Sequence, residues 1–163
     1  MKQIIIPLIA GIIGSFAMAS LMLVPARLGM FRIDVVRAVG ALITRERHNA
    51  HLPGMVIHLV VGAVSAVFYK WIFDYMGIPL FWATGLFAGL IHGVLVMLLV
   101  SIFILEHHPM KRYQRRGFGT GFAQIFGHGV FGLIVGFTIG LFTLDNHFFP
   151  GRNDIRRIEY FGK

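Results

Sequence analysis

Four long apolar stretches, at about residues 3–25, 54–76, 79–105 and 119–143, dominate this chain. Each reaches or exceeds the ~20 residues a helix needs to cross ~30 Å of hydrocarbon. Only 13% of the side chains are charged, against about 25% in a soluble domain, so there is too little polar surface to cover a globule. The stretches use nearly all of the 163 residues and leave no length for a separate soluble domain. The expected fold class is therefore all-α integral membrane, a four-transmembrane-helix bundle with residues 1–163 as one membrane domain.

A formal net charge of +8 raises the question of nucleic acid, but the placement of the bases argues for a membrane surface. Arg27, Arg32, Arg37, Arg45 and Arg47 lie between the first and second stretches; Lys111, Arg112, Arg115 and Arg116 lie between the third and fourth. Both connections fall on one side of the membrane, where arginine and lysine meet anionic headgroups. By the positive-inside bias, loops 26–53 and 106–118 are expected in the cytoplasm and both termini outside, in a bacterial plasma membrane. The start, with Lys2, an apolar core and Ala17-Met18-Ala19, also fits a cleavable signal peptide. The apolar run continues through Leu21–Val24 and the first connection is arginine-rich, which favours an uncleaved helix. The absence of cysteine excludes disulfides and thiolate metal sites.

The connections carry signals of their own. In RIDVVRAVGALITR, residues 32–45, Ile33, Val36, Val39 and Ile43 recur at helical spacing between arginines, which predicts a short interfacial helix. HLPG at 51–54 ends that segment and opens the second span. Trp71 and Trp82 bracket the tight turn between spans two and three, as an interfacial aromatic belt does. Lys70 and Asp74, spaced i, i+4, are placed to pair where the helix leaves lipid. The tail, 145–163, is mixed in charge and is expected on the membrane surface or on a partner.

IHLVVGAVSA, 57–66, aligns without gaps to GHGVFGLIVG, 127–136, so that His58, Gly62 and Ala66 fall on His128, Gly132 and Gly136. Spacing by four places each set on one helical stripe. AGIIG in span one similarly matches AGLIH in span three. The chain therefore reads as two parallel-repeat hairpins about a pseudo-two-fold along the membrane normal. Gly85-Gly89-Gly93 and Gly132-Gly136-Gly140 form small-residue stripes of the kind that let helices pack closely in lipid. The succession IHLVVGAVSAVFY, GLFAGLIHGVLVM and GHGVFGLIVGFTIG resembles a group of small four-span bacterial membrane proteins of unknown function with a histidine in each of the last three spans. That resemblance covers about residues 54–140, supports the four-helix reading and implies no activity. The basic EHHPMKRYQRRGFG connection and the charged tail are not features associated with the group.

Three sets of residues are candidates for chemistry. His58, His92 and His128 lie within spans, where ionisable groups tend to face the bundle interior and to be functional. Counted from the span ends at ~1.5 Å per residue, His58 and His128 share a depth and His92 lies ~7 Å beyond His128. If a cofactor is bound, His58 and His128 are then its candidate holders, with Gly62 and Gly132 making room; haem b, copper and zinc all suit imidazole. Hydrogen bonding that fixes helix register and a proton or ion path are the other readings. A second set, His48, His51, Glu106, His107 and His108, lies at the basic boundary and is a candidate metal group together with His92. Headgroup-facing histidines beside arginines are the favoured explanation of it. Met18, Met22 and Met97 are thioethers near imidazole, but methionine is also a common gap-filler. No Ser-His-Asp set, phosphate loop or mid-span carboxylate pair is present. The expectation is a non-enzymatic membrane protein, an accessory or assembly subunit that packs on itself or on other membrane helices. A haem- or metal-binding redox protein and a small channel or carrier are the alternatives.

Overall fold

The computed structural model of the chain describes residues 2–27, 34–114 and 118–148. Its helices are α1 (Lys2–Arg27), α2 (Val35–Thr44), α3 (His51–Tyr75), α4 (Trp82–Leu99) and α5 (Phe118–Phe148), with no strand among the described residues. α1, α3, α4 and α5 are long and apolar enough to cross a membrane. A helix satisfies its own backbone polar groups, which is why such segments take this form in lipid. The outer faces carry large apolar side chains, among them Phe16, Phe87, Phe103 and Phe122, each 63–67% exposed. Apolar surface this continuous is costly in water and natural in a bilayer.

Local signals explain the boundaries. Asp34 caps α2 by accepting from the Arg37 backbone N–H at 3.0 Å, as short acidic side chains do at helix starts. Gly77 ends the turn after α3 at φ +66°, a left-handed conformation that glycine adopts without penalty. The Thr84 hydroxyl accepts from the Phe81 N–H and lies 3.0 Å from the Pro79 carbonyl, which ties the turn to the first turn of α4. Pro79 therefore belongs to the connection, and the third span starts at Trp82. At its other end α4 widens into a π-helical turn, Val100–Leu105. α5 runs through Phe148, so residues 145–148, expected as tail, continue the fourth helix; 149–163 lie outside the described residues, as do Ile33 and Arg32.

Packing builds an open arc in the order α3, α1, α5, α4. α4 and α5 share the largest contact, α1 packs on both α3 and α5, and α3 and α4 scarcely touch. The hairpins α1/α3 and α4/α5 are both present, but the contact pattern departs from a two-fold. Such symmetry would make the α3–α4 seam equal to the α1–α5 seam, and only the latter forms. Lys70 and Asp74 pair near the end of α3, and Trp71 stacks on Tyr75 with ring centroids 6.2 Å apart. Because Asp74 is well exposed, breaking this pair by Lys70→Ala is expected to cost less than about 1 kcal/mol, measured as a thermal-unfolding shift in detergent.

Glycine sets the close seams. A Cβ on Gly85 or Gly89 would strike the Gly132 or His128 carbonyl, and one on Gly132 would lie 2.8 Å from the Gly89 Cα. Backbone meets backbone here, and the resulting van der Waals contact is the main source of helix association in lipid. The stripes at 85-89-93 and 132-136 are thus consumed inside the chain, between α4 and α5.

α2 is more than an interfacial float. Its small face, Ala38, Gly40 and Ala41, is buried, and Gly40 lies so close to the start of α3 that an added Cβ would meet the Ala50 carbonyl. Ile43 is exposed, whereas Val36 and Val39 turn toward the bundle. His108 holds the helix from the other side. Its fully buried imidazole lies 3.0 Å from the Ala38 carbonyl through Nε2, and Nδ1 accepts from the Met110 N–H at 3.0 Å. A backbone N–H can only donate and a carbonyl only accept, so the ring is fixed as the Nε2–H tautomer. This bond also establishes that the two basic connections lie at the same end of the bundle.

Candidate functional site

The arc of helices leaves a cavity of about 560 Å³ in the half of the bundle nearest α2. α1 contributes Ser15, Met18 and Met22; α3 contributes Met55, His58, Val61 and Gly62; α4 contributes His92 and Val96; α5 contributes Thr120, Gln124, His128 and Phe131. All of these lie in the α2-side half of their helices. The cavity is overwhelmingly apolar, and α2, through Val36 and Val39, closes part of its outer side. Asp34 and His51 line it at that end. A cavity of this size with a few placed polar groups is the usual form of a small-molecule site.

Its inner end is an aromatic layer. The His92 and His128 rings meet edge to face with centroids 5.0 Å apart. Tyr69, buried on α3, reaches across the thin α3–α4 seam to place its hydroxyl 3.1 Å from His92 Nδ1. Phe131 packs against both Tyr69 and His92, at 6.0 and 6.4 Å between centroids. Tyr69 and His92 therefore close at one level a seam that is otherwise left apart. Replacing Tyr69 by Phe is expected to lower stability by about 1 kcal/mol, the net worth of one such hydrogen bond, with no change in helix content by circular dichroism.

The meeting of His92 and His128 corrects the depth estimate from the sequence, which placed His92 beyond His128 and out of reach. Depth was counted from the ends of the spans, but the register is set by the glycine seam. Gly89 lies against the backbone of His128 and Gly129, so His92, three residues further along α4, sits ~4.5 Å nearer the α2 end than His128. Side chains lean toward the N-terminus of their own helix, and α4 and α5 are antiparallel. His92 leans away from the α2 end, His128 leans toward it, and the two rings converge.

The backbone fixes the tautomers of the other two. His128 Nδ1 lies 2.7 Å from the Gln124 carbonyl and His58 Nε2 lies 3.3 Å from the Ser15 carbonyl. Since carbonyls accept, those nitrogens carry the protons, and the lone pairs remain on His128 Nε2 and His58 Nδ1. His58 thus pins α3 to α1, and His128 bonds within its own helix. Two further polar groups complete the wall. The hydroxyls of Ser15 and Thr120, 1% and 6% exposed, line the cavity and have no hydrogen-bond partner within the protein.

Of the two glycines expected to make room for a cofactor, Gly62 lines the cavity, but the space above it is taken by the Ser15 side chain. Gly132 is filled by the backbone of α4 at Gly85 and Gly89 and does not line the cavity. Both give their missing side chain to helix packing, the reason their spacing resembled a packing motif in the first place.

The boundary histidines do not assemble. His48 pairs with its neighbour Asn49 at 3.1 Å, and exposed His107 lies 3.0 Å from the Ile102 carbonyl. His108 is spent on α2, His51 opens α3 at the cavity rim, and Glu106 is exposed at the end of the π-helical turn. Among the described residues no three His, Cys, Asp or Glu side chains gather as a metal-holding group. Sequence reasoning missed Tyr69, Ser15, Thr120 and Gln124. Tyr69 was legible, since it follows Ala66 by three on the His58-Gly62-Ala66 stripe, and Gln124 precedes His128 by one turn. Ser15 and Thr120 carry no such mark.

The chain belongs to a family of unknown function, DUF6789, which it matches over residues 1–149. The match takes in the first span, which the narrower resemblance over 54–140 had left out. No curated protein and no solved structure matches the chain.

Proposed function

We propose that this chain is a non-enzymatic, membrane-embedded binding protein whose site is the partly open cavity bordered by α1, α3, α4 and α5. The observation that carries this reading is the cavity itself: about 560 Å³ and mainly apolar, its described polar side chains being a few imidazoles and hydroxyls, one amide and the Asp34 carboxylate. Among the described residues that line it no nucleophile is hydrogen-bonded to a base, and the one carboxylate is Asp34 at the rim. The glycine stripes, on which a helix-packing accessory role would rest, are occupied within the chain. The protein would sit in a bacterial plasma membrane with the α2 end in the cytoplasm, since nine of its fifteen bases fall in the two connections at that end. Anionic headgroups would be its surface partners.

Photolabelling tests this reading. A small apolar diazirine added to membranes and activated by light is expected to label Met18, Met22 and Met55 several-fold more than equally apolar outer-face residues such as Phe87 and Phe103. Ala123→Trp, which puts a large ring into the cavity, is expected to remove that excess. Labelling spread evenly over inner and outer apolar positions would contradict the proposal.

One observation favours a second reading, a haem- or metal-binding protein with His58 and His128 as donors. Each gives its N–H to a backbone carbonyl and keeps a lone pair, the arrangement that orients ligating histidines. Haem b, copper or zinc would be the group held. Gently solubilised protein with a Soret band or stoichiometric metal would establish it; a featureless spectrum and no metal would end it.

A further inference from the structure

The cavity wall has an unusual hydrogen-bonding balance. Two imidazole nitrogens, His58 Nδ1 and His128 Nε2, are made acceptors by bonds that commit the other ring nitrogens, as donors, to backbone carbonyls. Two hydroxyls, Ser15 and Thr120, are more than nine-tenths buried and unpartnered within the protein. Buried polar groups are hydrogen-bonded almost without exception, and leaving one unmade costs more than making it gains. The lone pairs can only accept, so whatever satisfies them must bring hydrogens. The hydroxyls adapt to either role. Among the described residues no lysine or arginine lines the cavity, so none of them gives an anionic ligand head a counter-charge. The open α3–α4 seam gives a long apolar tail a way into lipid.

We infer that the cavity binds a neutral, lipid-soluble molecule with an aromatic head bearing hydroxyl groups, the chemistry of a prenylated quinol. Its hydroxyls donate to His58 Nδ1 and His128 Nε2, its ring lies toward the His92–Phe131 layer, and its tail leaves between α3 and α4. The oxidised quinone offers carbonyl oxygens only, so it satisfies Ser15 and Thr120 but not the imidazoles. Binding alone is proposed, with no electron transfer. This inference rests on the cavity being the binding site.

The test is ligand binding to the full chain in lipid nanodiscs, read by native mass spectrometry under anaerobic conditions. The probes are a short-tail benzoquinol, its quinone, its dimethyl ether and a long-chain alkanol. The quinol is expected to bind at one per chain, about tenfold tighter than the dimethyl ether, which loses both donated hydrogen bonds. His128→Leu is expected to bring quinol and ether within about threefold of each other, since it removes one acceptor of the pair. Should that variant fail to fold, Ser15→Ala and Thr120→Val give the second measurement: the quinone is weakened and the preference for quinol over ether is kept. Equal binding of quinol and ether, both lost in Ala123→Trp, would overturn the quinol inference and leave the cavity as a site for some other apolar ligand. An alkanol binding as tightly as the quinol would overturn the aromatic head in favour of a lipid alcohol. No probe binding, together with even photolabelling, would remove both readings.

Discussion

Gly132→Leu is expected to yield almost no folded protein. A Cβ at this position already meets the Gly85 carbonyl and lies 2.8–2.9 Å from the Gly89 Cα and N. The obstruction is backbone, which cannot swing aside as a side-chain tip does, and a leucine adds three more carbons beyond it. Overpacking a core typically costs about 1–3 kcal/mol, and separating two helices along their largest shared surface exceeds that range. The change would also pull His92 from His128, because the same seam sets their register. Gly121→Ala is the control. Its Cβ would meet only the Met97 thioether, at 3.0 Å, a flexible group, and alanine gains about 0.5–1 kcal/mol of helix propensity over glycine. Detergent-solubilised yield on size exclusion and thermal midpoints should therefore collapse for Gly132→Leu and stay level or rise for Gly121→Ala. Equal behaviour of the two would refute the close α4–α5 seam.

His108→Ala is expected to have the second-largest effect, confined to one end of the molecule. The substitution breaks the tie to the Ala38 carbonyl of α2, leaves the Met110 N–H without its acceptor and strips the Tyr113 ring of an edge contact at 4.7 Å. Each buried group left unsatisfied costs about 1–3 kcal/mol, enough to free α2 without unfolding the spans, whose contacts do not use this residue. Hydrogen exchange should rise across 35–44 and 106–114 and stay unchanged in α4 and α5. His108→Gln, whose amide can both donate and accept, should restore part of the protection. Exchange that rises uniformly along the chain would show that His108 supports the whole bundle and not the α2 latch alone.

Much of the architecture was legible in the sequence because membrane physics writes it plainly. Twenty apolar residues in a row have few folds open to them, and the four spans match α1, α3, α4 and α5 within a few residues except where Pro79 delays α4 and α5 continues to Phe148. The short helix after Asp34 was legible from its period. Its role was not, because Val36, Val39 and Ile43 form one stripe on a wheel whether the partner is lipid or protein; the buried Ala38-Gly40-Ala41 face decided it. The three intramembrane histidines were visible as exceptions in apolar runs. Their grouping was not, since depth depends on which residues of two antiparallel helices face each other, and the contact of Gly89 with His128 sets that. The cavity could not be foreseen, because it arises from a contact that fails to form. A repeat with near-equal halves predicts an α3–α4 seam like the α1–α5 seam, and only the three-dimensional packing reveals that the former stays apart.

The most direct test is native mass spectrometry of the intact protein taken from gently solubilised membranes, wild type beside Ala123→Trp. A binding protein built around this cavity should carry a single small-molecule adduct in the wild type, released on denaturation, and none in the variant at equal folded yield. Wild type and variant that are both free of adduct, or that carry the same adduct, would contradict the assignment of the cavity as the site.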